Sequence, residues 1–233
     1  MMKALVIMTR IPVPEKTKTR LLTILSPEEC ADIHKSFLKD ITKTALSLKS
    51  VAHIFLAYGD EGPLNLLEGI IPEEISFFPQ NGQNLGEKME NIFIRLFQEG
   101  YEKVVLIGSD IPEITAKNLE DSFYLLEFKD VVLGPTGDGG YYLVGMKTLH
   151  KTLFSKEIKW GSPVVFQESI KKLECIGLSL GFLESREDID TQEDLRKFWD
   201  RIKETEKCEN TRKYLKSKRI WGDCDAEVGR GNI

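Results

Sequence analysis

No apolar run in this sequence approaches the roughly 18 to 20 residues that a helix needs to cross a bilayer. Nor does the chain open with a charged, then apolar, then cleavable segment. A membrane-spanning or secreted protein is therefore not expected. Cysteine is sparse: Cys30, Cys175, Cys208 and Cys224 stand far apart with no C-x-x-C pair. That argues against a structural zinc site and for a reducing, cytoplasmic setting. Histidine is scarcer still. His34, His53 and His150 have no metal-ligand spacing among them and read as structural or surface residues. There is no internal repeat, no low-complexity linker and no excess of positive charge. The 233 residues carry a net charge of −5 with a pI near 5.4. A general nucleic-acid surface is not expected on that balance, so any cationic site has to be local.

Short runs of branched apolar residues recur along the chain. They are "ALVIM" (4–8), "AHIFLAY" (52–58), "EISFFP" (74–79), "KVVLIG" (103–108), "DVVLGP" (130–135), "YYLVGM" (141–146) and "GLSLGFL" (177–183). Several are apolar almost throughout, the pattern of strands covered on both faces. Helical patterns lie between them. Ser26 and Glu29 make a capping box with Pro27 in the first helical position, and Cys30, Ile33, Phe37, Leu38, Ile41, Ala45 and Leu48 follow on one face. Met89, Ile92, Phe93, Leu96 and Phe97 mark a second helix ending at Gly100, and shorter ones are expected at 116–128, 163–173 and 191–206. Alternating strands and helices predict an α/β fold with a mostly parallel sheet. "YYLVGM" follows "VVLGP" too closely for a helical crossover, so one antiparallel strand is expected. The organisation predicted is one domain over 1–206 and an irregular C-terminal extension over 207–233. In the extension, "KCENTRKYLKSKR" suits one polar helix and "GDCDAEVGRGNI" a loose tail.

Ligands of open α/β sheets sit beyond the carboxyl ends of the strands, and four exits are chemically unusual. After the first strand, "RIPVPEKTKTRL" places Arg10, Lys16, Lys18 and Arg20 together. Such a loop is either a solvated turn or a phosphate site built from cations and backbone N–H groups. In "GSDIPEI", Asp110 ends an apolar strand. It is either a turn or cap residue or a carboxylate that holds Mg²⁺ or Mn²⁺, and Thr115 is the better cap for the next helix. In "GPTGDGGYYLVGM", Gly137, Gly139 and Gly140 flank Asp138, as a hairpin or as backbone that lets a ligand come close. In "DIDTQEDL", Asp190 or Thr191 is a cap, or Asp188 and Asp190 share one face of an extended segment and between them supply a second metal ligand opposite Asp110. Trp160 and Gly86 are weaker candidates, Trp160 as core or lid, Gly86 as a helix-start glycine or a place where a base meets the backbone.

Taken in order, P-x-P-x-x-x-K-T-R-L, G-S-D-I-P, D-G-G-Y-Y-L-V-G and D-I-D-T-x-x-D-L resemble the uncharacterised DUF2064 group of the GT-A nucleotide-diphospho-sugar transferase superfamily. That superfamily also holds the molybdopterin and phospholactate guanylyltransferases. The resemblance runs from about residue 3 to 200 and implies a three-layer α/β/α fold with a mostly parallel mixed sheet, binding a nucleotide across its first half. It implies that Lys18 and Arg20 hold nucleotide phosphates and that Asp110 is the metal-binding aspartate, with Asp190 completing the metal site. It further implies that Asp138, Gly139, Gly140 and Tyr141 form the acceptor-side loop. The chain departs from the usual pattern at Glu15, where relatives carry glycine; Glu15 adds bulk and charge at a position suited to positive φ.

The expected activity is metal-dependent transfer from a nucleotide donor, using Mg²⁺ or Mn²⁺. The first form is nucleotidyl transfer from an NTP to a small phosphorylated acceptor with release of pyrophosphate. The second is glycosyl transfer from an NDP-sugar, with Asp138 as acceptor base. The third is nucleotide binding without turnover. The partners are thus a nucleotide and a small molecule, not nucleic acid, and the oligomeric state is open between monomer and homodimer.

Overall fold

The computed structural model describes residues 2–218 and 220. Its centre is a seven-stranded sheet of β1 (Lys3–Thr9), β2 (His53–Tyr58), β3 (Ser76–Pro79), β4 (Lys103–Gly108), β5 (Val131–Pro135), β6 (Tyr141–Met146) and β7 (Leu180–Phe182). The order across it is β3-β2-β1-β4-β6-β5-β7. Every pairing is parallel except those of β6, which runs antiparallel to β4 and β5. The expected antiparallel strand is the return arm of a short hairpin.

The apolar runs that defined the strands are apolar because both faces are covered. On β1, Leu5 and Ile7 point to one side of the sheet and Ala4 and Val6 to the other. The first side carries α1 (Pro27–Leu46) and α3 (Ala116–Phe128), through Leu38, Ile41 and Phe123. The second carries α2 (Leu85–Gln98) and α4 (Val165–Cys175), through Ile92, Phe93 and Leu173. The result is the predicted three-layer α/β/α arrangement. The Ser26–Glu29 capping box starts α1, and Thr115 caps α3.

A third cluster lies outside these layers. The N-terminal half of α1 (Cys30, Ile33, Phe37) meets α5 (Gln192–Ile202) and α6 (Glu209–Lys218) through Leu195, Phe198, Ile202 and Leu215. Phe37 and Phe198 pack edge to face at 6.0 Å. The polar helix anticipated in "KCENTRKYLKSKR" is α6; the tail "GDCDAEVGRGNI", with Cys224, lies outside the described residues. Cys30, Cys175 and Cys208 are free thiols. No described helix is long and apolar enough to cross a membrane.

From β1 the chain moves outward to β2 and β3, then returns to the other side of β1 with β4. The order reverses between β1 and β4, where crevices open in such sheets. The carboxyl ends of β1, β2, β3 and β4 meet there with the β5–β6 hairpin and the stretch leading from β7 to α5.

Candidate functional site

A cleft of about 640 Å³ opens at this reversal, a size usual for small-molecule sites. Its lining takes in Arg10 and Lys16–Arg20 after β1, Asp110 after β4, Asp138, Gly140 and Tyr141 from the hairpin, and Asp188 and Asp190 before α5. Residues far apart in sequence are thus brought into one place.

Lys18 is the pivot. Its backbone is left-handed, at φ 50° and ψ 41°, and its side chain is 3% exposed. The ammonium lies 2.5 Å from Asp110 Oδ1 and 3.1 Å from Asp190 Oδ1, and donates to the Ile189 carbonyl at 2.7 Å. Three N–H donors meet three acceptors, so the ammonium is saturated by the two acids instead of standing free for phosphate, as the sequence had suggested. Burial opposes its charge, but Asp110 and Asp190 hold the lysine above its usual value. Burial likewise opposes ionisation of Asp110, and the Lys18 ammonium overrides it, keeping that carboxyl below the usual range. Asp110 stays 47% exposed, open to the cleft above the lysine. Its carbonyl accepts from Ile189 N–H at 3.1 Å, which ties the β4 exit to the segment carrying Asp188 and Asp190. Thr191 is the cap of α5, bonded reciprocally to Asp194, so Asp190 is left for the site.

Arg20 is 73% exposed and reaches Asp190 Oδ2 at 3.6 Å. Arg10 donates to the Lys16 carbonyl at 3.2 Å, and Lys16 to the Glu61 carbonyl at 2.9 Å. The loop is also tied from within: Thr17 donates to the Ile11 carbonyl and accepts from Val13 N–H. Glu15 sits at φ 64°, so the position does use the conformation that favours glycine, and a non-glycine residue bears that strain.

Asp138 folds back on its own turn, its Oδ1 accepting from the Thr136 hydroxyl at 2.5 Å and from Gly140 N–H at 3.0 Å. Gly139 has φ 90°, and a Cβ there would lie 1.9 Å from the Pro163 carbonyl, so this glycine admits backbone and not a ligand. Tyr141 shows its ring to the cleft and packs edge-on against Trp160 at 6.2 Å, while burial raises its hydroxyl well above the usual tyrosine value. Gly86 lies under Trp160: a Cβ there would meet the indole nitrogen at 2.4 Å, so the indole occupies the space suggested for a base.

Two ionisable groups stand out here: Asp188, which the sequence paired with Asp190, and His34, to which it gave no place in the site. Asp188 is driven up to about 7 by burial and by the carboxylates of Asp110, Asp138 and Asp190, with Lys18 only partly compensating. His34 of α1 is 2% exposed; its Nε2 contacts the Thr9 hydroxyl at 2.9 Å and the Arg10 carbonyl at 3.3 Å. The Thr9 hydroxyl donates to that same carbonyl, so it accepts from the histidine and the imidazole proton sits on Nε2. Nδ1 is buried without a partner, and burial holds the ring down at about 4. The available signal was a polar residue inside the apolar stripe of α1, between Ile33 and Phe37.

Whether the acids suit a divalent cation turns on charge and donor type. Among the described residues no three His, Cys, Asp or Glu side chains converge on one point. Asp110 and Asp190 nevertheless share the Lys18 ammonium, and with Arg20 as the other cation paired to these acids, the carboxylates of Asp110, Asp138 and Asp190 still leave a negative excess that burdens Asp188. Carboxylate oxygens are the donors Mg²⁺ and Mn²⁺ prefer.

Residues 42–162, more than half of the chain, match DUF2064, described as an uncharacterized protein conserved in bacteria. The chain belongs to this family. Over 208 residues this DUF2064 protein is 28% identical to a 2-phospho-L-lactate guanylyltransferase of Methanocaldococcus vulcanius, covering 88% of this chain and 86% of that one. A solved protein of Desulfovibrio desulfuricans G20, assigned to the nucleotide-diphospho-sugar transferases, superposes with a TM-score of 0.84 at 27% identity, covering 94% and 96% of the two chains. The fold alone extends to the 4-diphosphocytidyl-2C-methyl-D-erythritol synthase of Anaerococcus prevotii DSM 20548, with a TM-score of 0.57 at 12% identity, covering 92% and 98%. The DUF2064 chain thus has the nucleotide-diphospho-sugar transferase fold that its motifs implied.

Proposed function

We propose that this protein is a divalent-cation-dependent nucleotidyltransferase that moves a nucleoside monophosphate from an NTP to a small phosphorylated acceptor and releases pyrophosphate. The observation that carries the reading is the meeting of Lys18, Asp110 and Asp190 in a nucleotide-sized cleft where the sheet order reverses. Likeness to a guanylyltransferase over 86% of its length supports it.

The acceptor phosphate is anionic near neutral pH, so its oxygen attacks the α-phosphorus without a general base. The bond to the β-phosphate breaks and its electron pair leaves on pyrophosphate. What the protein supplies is positioning and neutralisation of charge. Arg20 holds the β and γ phosphates from the cleft surface. Lys18 joins it by exchanging a carboxylate oxygen for a phosphate oxygen, like for like in charge. Asp110 and Asp190 would hold Mg²⁺ or Mn²⁺, which supplies the positive charge that lets a polyanion approach this acidic edge. Asp138, fixed by Thr136 and Gly140, and the Tyr141 ring line the acceptor side.

Likeness to a nucleotide-diphospho-sugar transferase over 94% of the chain favours a second reading, glycosyl transfer from an NDP-sugar with Asp138 as acceptor base. Thermal unfolding with NTPs and NDP-sugars, with and without Mg²⁺ or Mn²⁺, separates the two. Stabilisation by an NTP together with pyrophosphate release is expected. Preference for one NDP-sugar, with its slow hydrolysis, would favour sugar transfer. Stabilisation by nucleotide with no turnover would leave binding alone, and no stabilisation at millimolar nucleotide would dismiss every version. Asp110→Asn is expected to abolish the metal dependence of nucleotide binding; unchanged dependence would remove Asp110 from the metal site.

A further inference from the structure

Both neighbours of β5 carry one residue too many beside Gly134. Along the β5–β7 pair, Val131, Val132 and Leu133 face Leu180, Gly181 and Phe182, and beyond them Thr136 faces Arg186. Three steps on β5 answer to four on the other side. The extra residue lies at Glu184–Ser185: Leu183 N–H donates to the Leu133 carbonyl at 3.0 Å, but the Pro135 carbonyl receives Arg186 N–H, also at 3.0 Å. On the other flank, Gly134 faces Leu143 and Pro135 faces Tyr141, which leaves Tyr142 extra in β6. Tyr142 and Leu143 accordingly pack on the same side of the sheet. The two bulges are tied to each other. The Tyr142 ring passes over Gly134, where a Cβ would lie 2.6 Å from it, and its hydroxyl donates to the Glu184 carbonyl at 3.3 Å. Burial raises that hydroxyl above its usual value, and the nearby Arg186 guanidinium partly counters the rise. Arg186 itself donates from Nη2 to Asn118 Oδ1 at 2.9 Å, an oxygen that also accepts from the Thr115 N–H and hydroxyl at the start of α3. Its Nε is sealed from solvent, so this arginine is not a solvated surface charge.

We propose that Arg186 and Tyr142 are positioning residues: by locking this paired bulge they set which side chains of the stretch before α5 enter the cleft. This rests on the nucleotidyl-transfer reading and deepens it. Side chains alternate along an extended chain, so one extra residue exchanges the two sets. With the bulge in place, Asp188 and Asp190 line the cleft. Glu187 and Ile189 turn away from it, Glu187 to Arg201 at 3.4 Å and Ile189, 1% exposed, into the cluster formed by α1, α5 and α6. Without the bulge, a glutamate and an isoleucine would take the places of the two aspartates. The stretch is also held at both ends against the segment that follows β4. Arg186 ties one end to the cap of α3, and Ile189 N–H ties the other to the Asp110 carbonyl at 3.1 Å. Arg186 does not line the cleft, so it acts through the acids and not on the substrate.

The test titrates Mn²⁺ by electron paramagnetic resonance in the presence of a non-hydrolysable NTP, and records thermal unfolding without ligands. Arg186→Met removes the guanidinium but leaves Asn118 both of its Thr115 donors, so the cap of α3 survives. It is expected to weaken Mn²⁺ binding roughly tenfold, the usual effect of loosening the support behind a metal ligand. Arg186→Lys keeps a charged donor and should fall between that variant and wild type. Tyr142→Phe loses only the tie to Glu184 and should weaken binding about threefold, the worth of one hydrogen bond. A merely structural role would lower the unfolding temperature and leave the Mn²⁺ affinity alone. A folded Arg186→Met protein with wild-type affinity would therefore overturn the proposal. Should Arg186→Met fail to fold, the other two variants decide: wild-type affinity in both overturns the proposal and leaves nucleotidyl transfer standing. A wild-type protein that binds neither Mn²⁺ nor the NTP overturns both.

Discussion

His34 occupies a position in α1 that its neighbours Ile33, Phe37 and Leu38 mark as core, and the fold keeps it neutral there. Burial is the main cause; Asp110 and the hydrogen bond to the Arg10 carbonyl oppose it, and the charges of Lys18 and Arg10 reinforce it. The native ring resists protonation until about pH 4, whereas in the unfolded chain it takes a proton near 6.5. Between those values the unfolded state binds more protons, so this residue makes stability fall as pH drops from about 6.5 to 4. The full window corresponds to at most about 3 kcal/mol, at 1.36 kcal/mol for each unit. Asp188 acts in the opposite sense: its native value is raised to about 7, so its contribution is lost as pH rises through that value. His34→Gln is expected to flatten the decline of urea-unfolding stability between pH 6.5 and 4.5 by roughly 1 kcal/mol per pH unit; a slope unchanged from wild type would contradict the account.

At the scale of elements, α6 depends on a residue far from it in sequence. Asp40, in the middle of α1, accepts from the N–H groups of Asn210 and Thr211, from the Asn210 amide and from the Thr211 hydroxyl, at 2.7–3.0 Å. It satisfies donors at the start of α6 and lays its charge against the positive end of that helix. Asp40→Ala is expected to cost about 2–3 kcal/mol and to expose 209–218 to proteolysis, read by thermal unfolding and limited digestion. Asp40→Asn, which still accepts, should cost less. The comparison also shows what the sequence could reveal. The seven strands were legible because double-sided burial demands runs such as "KVVLIG", and α3 was legible because Thr115 caps it locally. Asp40 was hidden because its partners lie 170 residues away. Lys18 was legible as a functional cation, but not as the counter-ion of Asp110 and Asp190, because that pairing exists only after β1 and β4 lie side by side.

Across the whole molecule, the cleft is electrically lopsided inside a chain whose net charge is −5. Arg10, Lys16 and Arg20 stand at the β1 side, and Asp110, Asp138, Asp188 and Asp190 gather where β4, the hairpin and α5 meet. A triphosphate suits the first group and is repelled by the second, and a global field of this sign does nothing to draw it in. The sheet supports both groups rigidly, since strands β1 and β4 are paired along their length and buried on both faces. Under the proposed nucleotidyl transfer, this asymmetry would set the reacting phosphate of a nucleotide toward the acids.

The Lys18 contact gives that asymmetry a thermodynamic consequence. With its ammonium seated on Asp110 and Asp190, the protein carries an internal salt, so the proposed loading of cation and nucleotide would be an ion exchange and not a simple addition. A divalent cation arriving alone gains two carboxylates but strands a buried ammonium. Arriving with a nucleotide, it frees that ammonium for a phosphate. The two ligands should therefore bind as a pair, each tightening the other by one and the same factor. Calorimetric titration is expected to give weak binding of Mg²⁺ alone, at least tenfold tighter binding when NTP is present, and the reciprocal gain for NTP. Lys18→Met, which removes the exchanging ion, should make Mg²⁺ bind more tightly by itself and shrink the coupling toward one.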